Sequence, residues 1–211
     1  MARYTGPVCR LCRTEGTKLC LKGDRCKSDK CPINKKRAAP GKDPKARTGK
    51  RSEYGLQLRE KQKIKRIYGM QEKQFHLTFE HALRMPGVTG ENLVRLLESR
   101  LDNIVYRMHF AACRNQARQV VLHRHVLVNG RIVNIPSYQV KPGDVIEVKE
   151  NSKKLAIIQD GLKEVSKSGV ASWVTVDVDA VKGTFVQYPR REEVTDLVGV
   201  KEQLVVELYS K

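Results

Sequence analysis

"RNQARQVVLHRHVLVNG", residues 114–130, changes its period halfway along. In the first half Arg114 and Arg118 stand one helical turn apart, and Ala117, Val120 and Val121 fill the other face of a short helix. In the second half Val126 and Val128 alternate, and Asn129-Gly130 is a strong two-residue hairpin signal. Ile132 and Ile135 follow, and a Pro142-Gly143 turn precedes a strand at Val145 to Val148. Helices running into a small antiparallel sheet define an α+β fold.

Upstream the pattern is helical. Ser52 is placed to cap a helix carrying Leu56, Ile64, Ile67 and Tyr68, with Gly69 as its stop. Phe75, Phe79, Ala82 and Leu83 line a second helix ending before Pro86-Gly87. Thr89 caps a third, which the spacing of Leu93, Leu96, Leu97, Leu101, Ile104, Val105 and Met108 carries on as one element. Downstream, one helix is expected near residues 153–165, and residues 173–179 and 183–189 pair naturally as a hairpin. QLVVELYSK at the end fits a strand or a docked helix equally well.

Charge is distributed unevenly. The 211 residues carry a net charge of +18, and residues 1–70 hold 21 Lys/Arg against 6 Asp/Glu, or +15 of that total. So large an excess calls for a polyanionic partner. No 18-residue apolar run and no apolar leader are found, so a reducing cytosol is expected, with no membrane span. From Asn103 to Gly143 there is no acid, while Arg107, Arg114, Arg118, Arg124, Arg131 and Lys141 all lie there. A solvated face normally mixes signs, so this window reads as a nucleic-acid surface. The helix after Ser52 adds Arg59, Lys61, Lys63, Lys65 and Arg66.

Five of the six cysteines crowd into residues 9–31. Cys9 and Cys12, and Cys26 and Cys31, form two short-spaced pairs, the layout that lets four thiolates reach one tetrahedral ion. Cys20 has no partner at knuckle spacing. The segment has little apolar material, so a metal would supply its folding energy. Zinc is the expected ion, and an iron–sulfur cluster remains the alternative. Residues 34–51, which include Lys50 and Arg51, read as a basic strap that orders against its partner, and composition fits a solvated linker equally well. Phosphate loops and paired catalytic carboxylates are not identifiable. Cys113 beside His109 lacks an orienting third group and suits a capping role, so neither an enzyme nor a small-molecule substrate is indicated.

SRLDNIVYR (99–107), RNQARQVVLHRHVLVNG (114–130) and VKPGDVIEV (140–148) closely resemble the small RNA-binding module named after small ribosomal subunit protein four. The opening MARYTGPVCRLC, REKQKIKRIYG (59–69), EKQF (72–75) and EQLVVELYS are similar to the bacterial ribosomal family itself. The resemblance implies a cytoplasmic structural component of the small subunit that binds rRNA early in assembly. It implies contact with small-subunit protein five, tied to decoding accuracy, a place near mRNA at the entry channel, and, in some members, repression of their own mRNA. It also implies metal on Cys9, Cys12, Cys26 and Cys31. Within the motifs Arg100, Gln116, His123, His125 and Asn129 join the expected RNA contacts. Ser often stands at the position of Cys113, and residues 38–51 depart from the family's usual stretch. The expected parts are a cysteine-bearing arm (1–51), a helical domain (52–97, with 200–211 able to pack on it) and an α+β RNA-binding domain (98–199, module core 99–161). A zinc-ribbon regulator bound to duplex DNA is the alternative reading.

Overall fold

The computed structural model describes residues 4–41, 43 and 49–210, so residues 42 and 44–48 of the basic strap lie outside it. The chain divides into two compact units: residues up to Leu93 together with those from Val194 onward, and Val94 to Glu193. The cysteine-rich arm falls in the first of these units.

In the first unit, α1 (Val8–Glu15) and the single turn α2 (Asp24–Lys27) carry three of the clustered cysteines. No helical signal is legible at α1, because the cysteine spacing dominates a short segment with few apolar residues. α3 (Glu53–Ile67) starts where Ser52 Oγ accepts the Gly55 N–H at 3.2 Å, a true side-chain cap. α4 (Glu72–Arg84) buries Phe75, Phe79 and Ala82. The C-terminal segment is helical as α10 (Glu202–Tyr209) and packs on α3. Tyr209 decides between the two readings of that segment: its ring sits 4.6 Å from that of Phe79, and Gln57 donates to Glu207 at 3.1 Å.

The expected long third helix is two. α5 (Thr89–Glu98) stops at Ser99, and α6 (Leu101–Arg107) starts after an extended Arg100. Arg100 bridges Gln139, and the Leu101 N–H donates to the Tyr138 carbonyl at 2.8 Å. A tertiary strand contact thus overrides a continuous apolar period.

In the second unit α7 (Arg114–Leu122) leads into β1 (Val126–Val128), β2 (Arg131–Ile132) and β3 (Val145–Val148), then α8 (Ala156–Leu162), α9 (Val165–Ser168), β4 (Val174–Asp177) and β5 (Lys182–Phe185). The sheet is antiparallel, in the order β2-β1-β3-β5-β4, with Val128 opposite Arg131 across the Asn129-Gly130 turn. Val126, Val128, Ile146, Val148 and Phe185 face its core with Leu101, Ile104 and Val121 of the helices, all buried. Gly183 is required at its place, since a Cβ there would lie 2.5 Å from the Thr175 carbonyl and 2.9 Å from Met108 Sδ. The mixed helical and antiparallel architecture is that expected from the sequence.

Candidate nucleic-acid interface

The acid-free window does not leave Arg107, Arg114 and Arg118 free. Glu98 and Asp102 lie just upstream of it, and the break at Ser99–Arg100 turns both carboxylates toward α6 and α7. Asp102 accepts a two-pronged pair from Arg100, at 3.1 and 3.0 Å, and a further bond from Arg118 Nη1 at 3.3 Å. Glu98 accepts a two-pronged pair from Arg107, at 2.9 and 2.8 Å, and Asn103 Nδ2 at 2.7 Å. Arg114 donates to Asn103 Oδ1 at 2.8 Å, stands 3.9 Å from Glu98 and lies over the Tyr106 ring at 4.6 Å. Arg107 stacks 5.3 Å from the Trp173 centroid. Arg100, Arg107 and Arg118 are buried. A guanidinium buried without a carboxylate is strongly unfavourable, so these pairs belong to the core. This corrects the expectation that Arg114 and Arg118 aim at phosphates: Arg118, Arg100 and Arg107 hold the module together, and Arg114 is half-buried. Gln116 is also half-buried.

What remains on the surface lies at the two ends of β1, with Lys141 exposed further along. His123 and Arg124 are exposed, and so are Asn129 and Arg131 at the hairpin. Arg124 has φ +63, in the left-handed region that usually falls to glycine at a helix C-terminus. There the Arg124 N–H donates to the Val121 carbonyl at 3.0 Å and the His125 N–H to that of Val120 at 3.2 Å, closing the helix. A strained non-glycine at a charged, exposed turn points to function. His125 lies 2.8 Å from Ser152 Oγ, and burial first, then the charges of His123 and Lys149, hold its imidazole below the ordinary range. Lys149, exposed, donates its backbone N–H to the His125 carbonyl at 2.9 Å. Sequence reasoning missed Lys149 because it sits outside the acid-free window, and only the pairing of β1 with β3 brings it beside His125. Asn129 is committed to the fold: it donates to Asp144 at 2.8 Å and accepts the Val145 N–H at 2.9 Å.

The α3 cations are likewise partnered. Lys61 and Lys65 reach Glu72 at 2.6 and 2.8 Å, and Lys63 reaches Glu60 at 2.5 Å. Arg59, at 3.3 Å, and Arg66 both bond Oε1 of Glu15, whose side chain is fully buried. Burial alone would raise the Glu72 carboxyl, but the two lysines outweigh it and bring it down to about 2. Burial, then the charge of Glu72, pushes the Tyr209 phenol up. Lys50 and Arg51 are exposed just before the Ser52 cap.

Cys9, Cys12, Cys26 and Cys31 line one cleft with Lys18, Arg25 and Pro32, while Cys20 is exposed with φ +51. The Lys22 N–H donates to Cys26 Sγ at 3.3 Å, and the Leu19 N–H serves Cys12. Burial raises the Cys12 and Cys26 thiols, and the neighbouring cysteines add to the effect. Among the described residues no three Cys, His, Asp or Glu side chains stand in a metal-holding arrangement. Cys113 occupies the N-cap position of α7, buried, but its side chain makes no capping bond.

Helices feeding an antiparallel sheet beside an exposed basic turn define this as a protein carrying a nucleic-acid-binding module. Comparison with known families matches residues 3–98 to the ribosomal protein S4/S9 N-terminal domain and residues 99–146 to the S4 domain. The chain belongs to the ribosomal protein S4 family. It is 57% identical over 211 residues to small ribosomal subunit protein uS4 of Syntrophotalea carbinolica and 56% identical over 212 residues to that of Natranaerobius thermophilus, covering 100% of both chains in each case. The family consists of ribosomal structural proteins and not of enzymes.

Proposed function

We propose that this chain is a structural component of the small ribosomal subunit, bound to its rRNA in the cytoplasm. The observation that carries the reading is the end-to-end match to proteins named for that subunit. The duplex-DNA regulator is not favoured by it. Affinity comes from exposed cations that displace counterions from phosphates. Selectivity comes from fitting the shape of a folded RNA. On the second unit the contact surface centres on His123, Arg124, His125 and Arg131, with Lys149 added; on the first unit Lys50 and Arg51 are assigned separately. Competition between a structured small-subunit rRNA fragment and duplex DNA of equal length tests this. RNA should win at every salt concentration, and equal competition would overturn the reading.

Finer parts of the proposal follow from the family resemblance: early binding at a multi-helix junction, contact with small-subunit protein five that bears on decoding accuracy, proximity to mRNA at the entry channel, and translational autorepression.

The arm is proposed to be metal-bound, through Cys9, Cys12, Cys26 and Cys31. What supports this is the chemistry of the donor set rather than its spacing: four thiols on one cleft, two of them already receiving backbone N–H groups, are the side chains a thiolate-held ion takes. Zinc fits this donor set, and an iron–sulfur cluster is the alternative. When bound, the ion would supply the folding energy that the arm's small core lacks.

A further inference from the structure

Resting on that metal reading, we propose that Glu15 makes the cysteine knot a metal-operated gate on Arg59 and Arg66. α1 is the moving part. It carries Cys9 and Cys12 near its start and Glu15 at its end, so one eight-residue helix joins the knot to α3. A helix this short does not persist in water by itself. Its order depends on its surroundings, and in the arm these are a very small core: Cys12, Leu19, Cys26 and Cys31 are its buried hydrophobic side chains among the described residues. Remove what binds the thiols together and α1 keeps Glu15 itself and Arg13, whose Nη1 donates to the Ala38 carbonyl at 3.1 Å, to hold it.

Glu15 is where the other end of α1 engages. Its side chain is fully buried, and one oxygen accepts both Arg59 and Arg66, which are a quarter or less exposed. Lys61, Lys63 and Lys65 of the same helix find Glu60 and Glu72, acids on α3 and α4 themselves. Arg59 and Arg66 differ in drawing their acid from the arm. With the knot closed both are neutralised and held in place. With it open, Glu15 moves into water, where it gains solvation, and two guanidinium groups are released to solvent and to phosphate. Bound metal thus keeps RNA binding dependent on shape, and metal loss shifts it toward charge alone.

The test labels arginines with a dicarbonyl reagent in the full-length protein and maps them by mass spectrometry, alongside metal content by elemental analysis. In the metal-loaded protein Arg59 and Arg66 should be labelled several-fold less than exposed Arg124. Stripping the metal with a chelator should raise both toward the Arg124 level, while buried Arg107 stays unlabelled and reports that the second unit remains folded. Glu15→Gln should raise the same two labels with the metal retained. It should also steepen the log–log salt dependence of rRNA-fragment binding by about 1 to 2. Chelation that removes the metal and leaves both labels unchanged would overturn the gate and leave the metal site standing. Purified wild-type protein without metal would remove the metal reading and the gate together. The chelator arm uses wild-type protein, so the test does not depend on the variant folding.

Discussion

Arg124 and Asp102 show how residues of opposite burial divide the work. Arg124 holds a left-handed turn that glycine would occupy without strain. Arg124→Gly should therefore leave the melting temperature unchanged or higher while weakening rRNA-fragment binding and lowering its salt slope by about 1. Thermal melting and a salt series read the two effects separately, and a variant that binds like wild type would remove Arg124 from the interface. Asp102 is the reverse case. Asp102→Asn removes the charge that Arg100 and Arg118 share, at a cost of about 3–5 kcal/mol, the range for breaking a buried pair. Urea denaturation checks it, and a cost below about 1 kcal/mol would mean that water reaches the pair. For the same reason Arg118→Glu should unfold the second unit, since it sets a second carboxylate against Asp102. The sequence could not show this, because Asp102 falls one residue before the acid-free window and its contact with α7 is made across a helix break.

At the level of elements, legibility followed local chemistry. Ser52, the Asn129-Gly130 turn and the alternation in β1 and β3 act on their own neighbours, so α3, the hairpin and the sheet could be read directly. The division of α5 from α6 could not, because it rests on Arg100 pairing with Gln139, 39 residues on. α10 was undecidable for a similar reason: its helix is fixed by docking on α3, where Tyr209 meets Phe79 and donates to Glu72 at 3.1 Å. Glu72 makes this packing pH-sensitive. Its carboxyl lies near 2, below the ordinary 4.5, so its contribution is complete above about pH 4.5 and fades as pH falls toward 2. The side chain is half exposed, so screening keeps the effect below about 1 kcal/mol. Glu72→Gln should lower stability at neutral pH and flatten its acid dependence between pH 4.5 and 2. Chemical denaturation across that range measures both, and an unchanged slope would show that the lysines contribute nothing net.

Across the whole molecule, charge that looked uniformly available is sorted by the fold. Much of the basic content of α3 and α7 is paired with internal carboxylates, and the surface proposed for RNA on the second unit is correspondingly smaller. The arm adds a separate dependence. Cys26→Ser should release the metal and leave the arm open to proteolysis, whereas Cys20→Ser should keep metal content unchanged, since Cys20 is exposed and does not line the cleft of the other four. Elemental analysis decides between them, and metal lost from the Cys20 variant would sink the ligand assignment. The most direct measurement on the central claim is fractionation of ribosomes from cells containing the tagged chain, on sucrose gradients at high salt. The account predicts that the chain sediments with small subunits and stays there after the wash. A chain found at the top of the gradient, with small subunits assembled without it, would contradict its place as a structural rRNA-bound component.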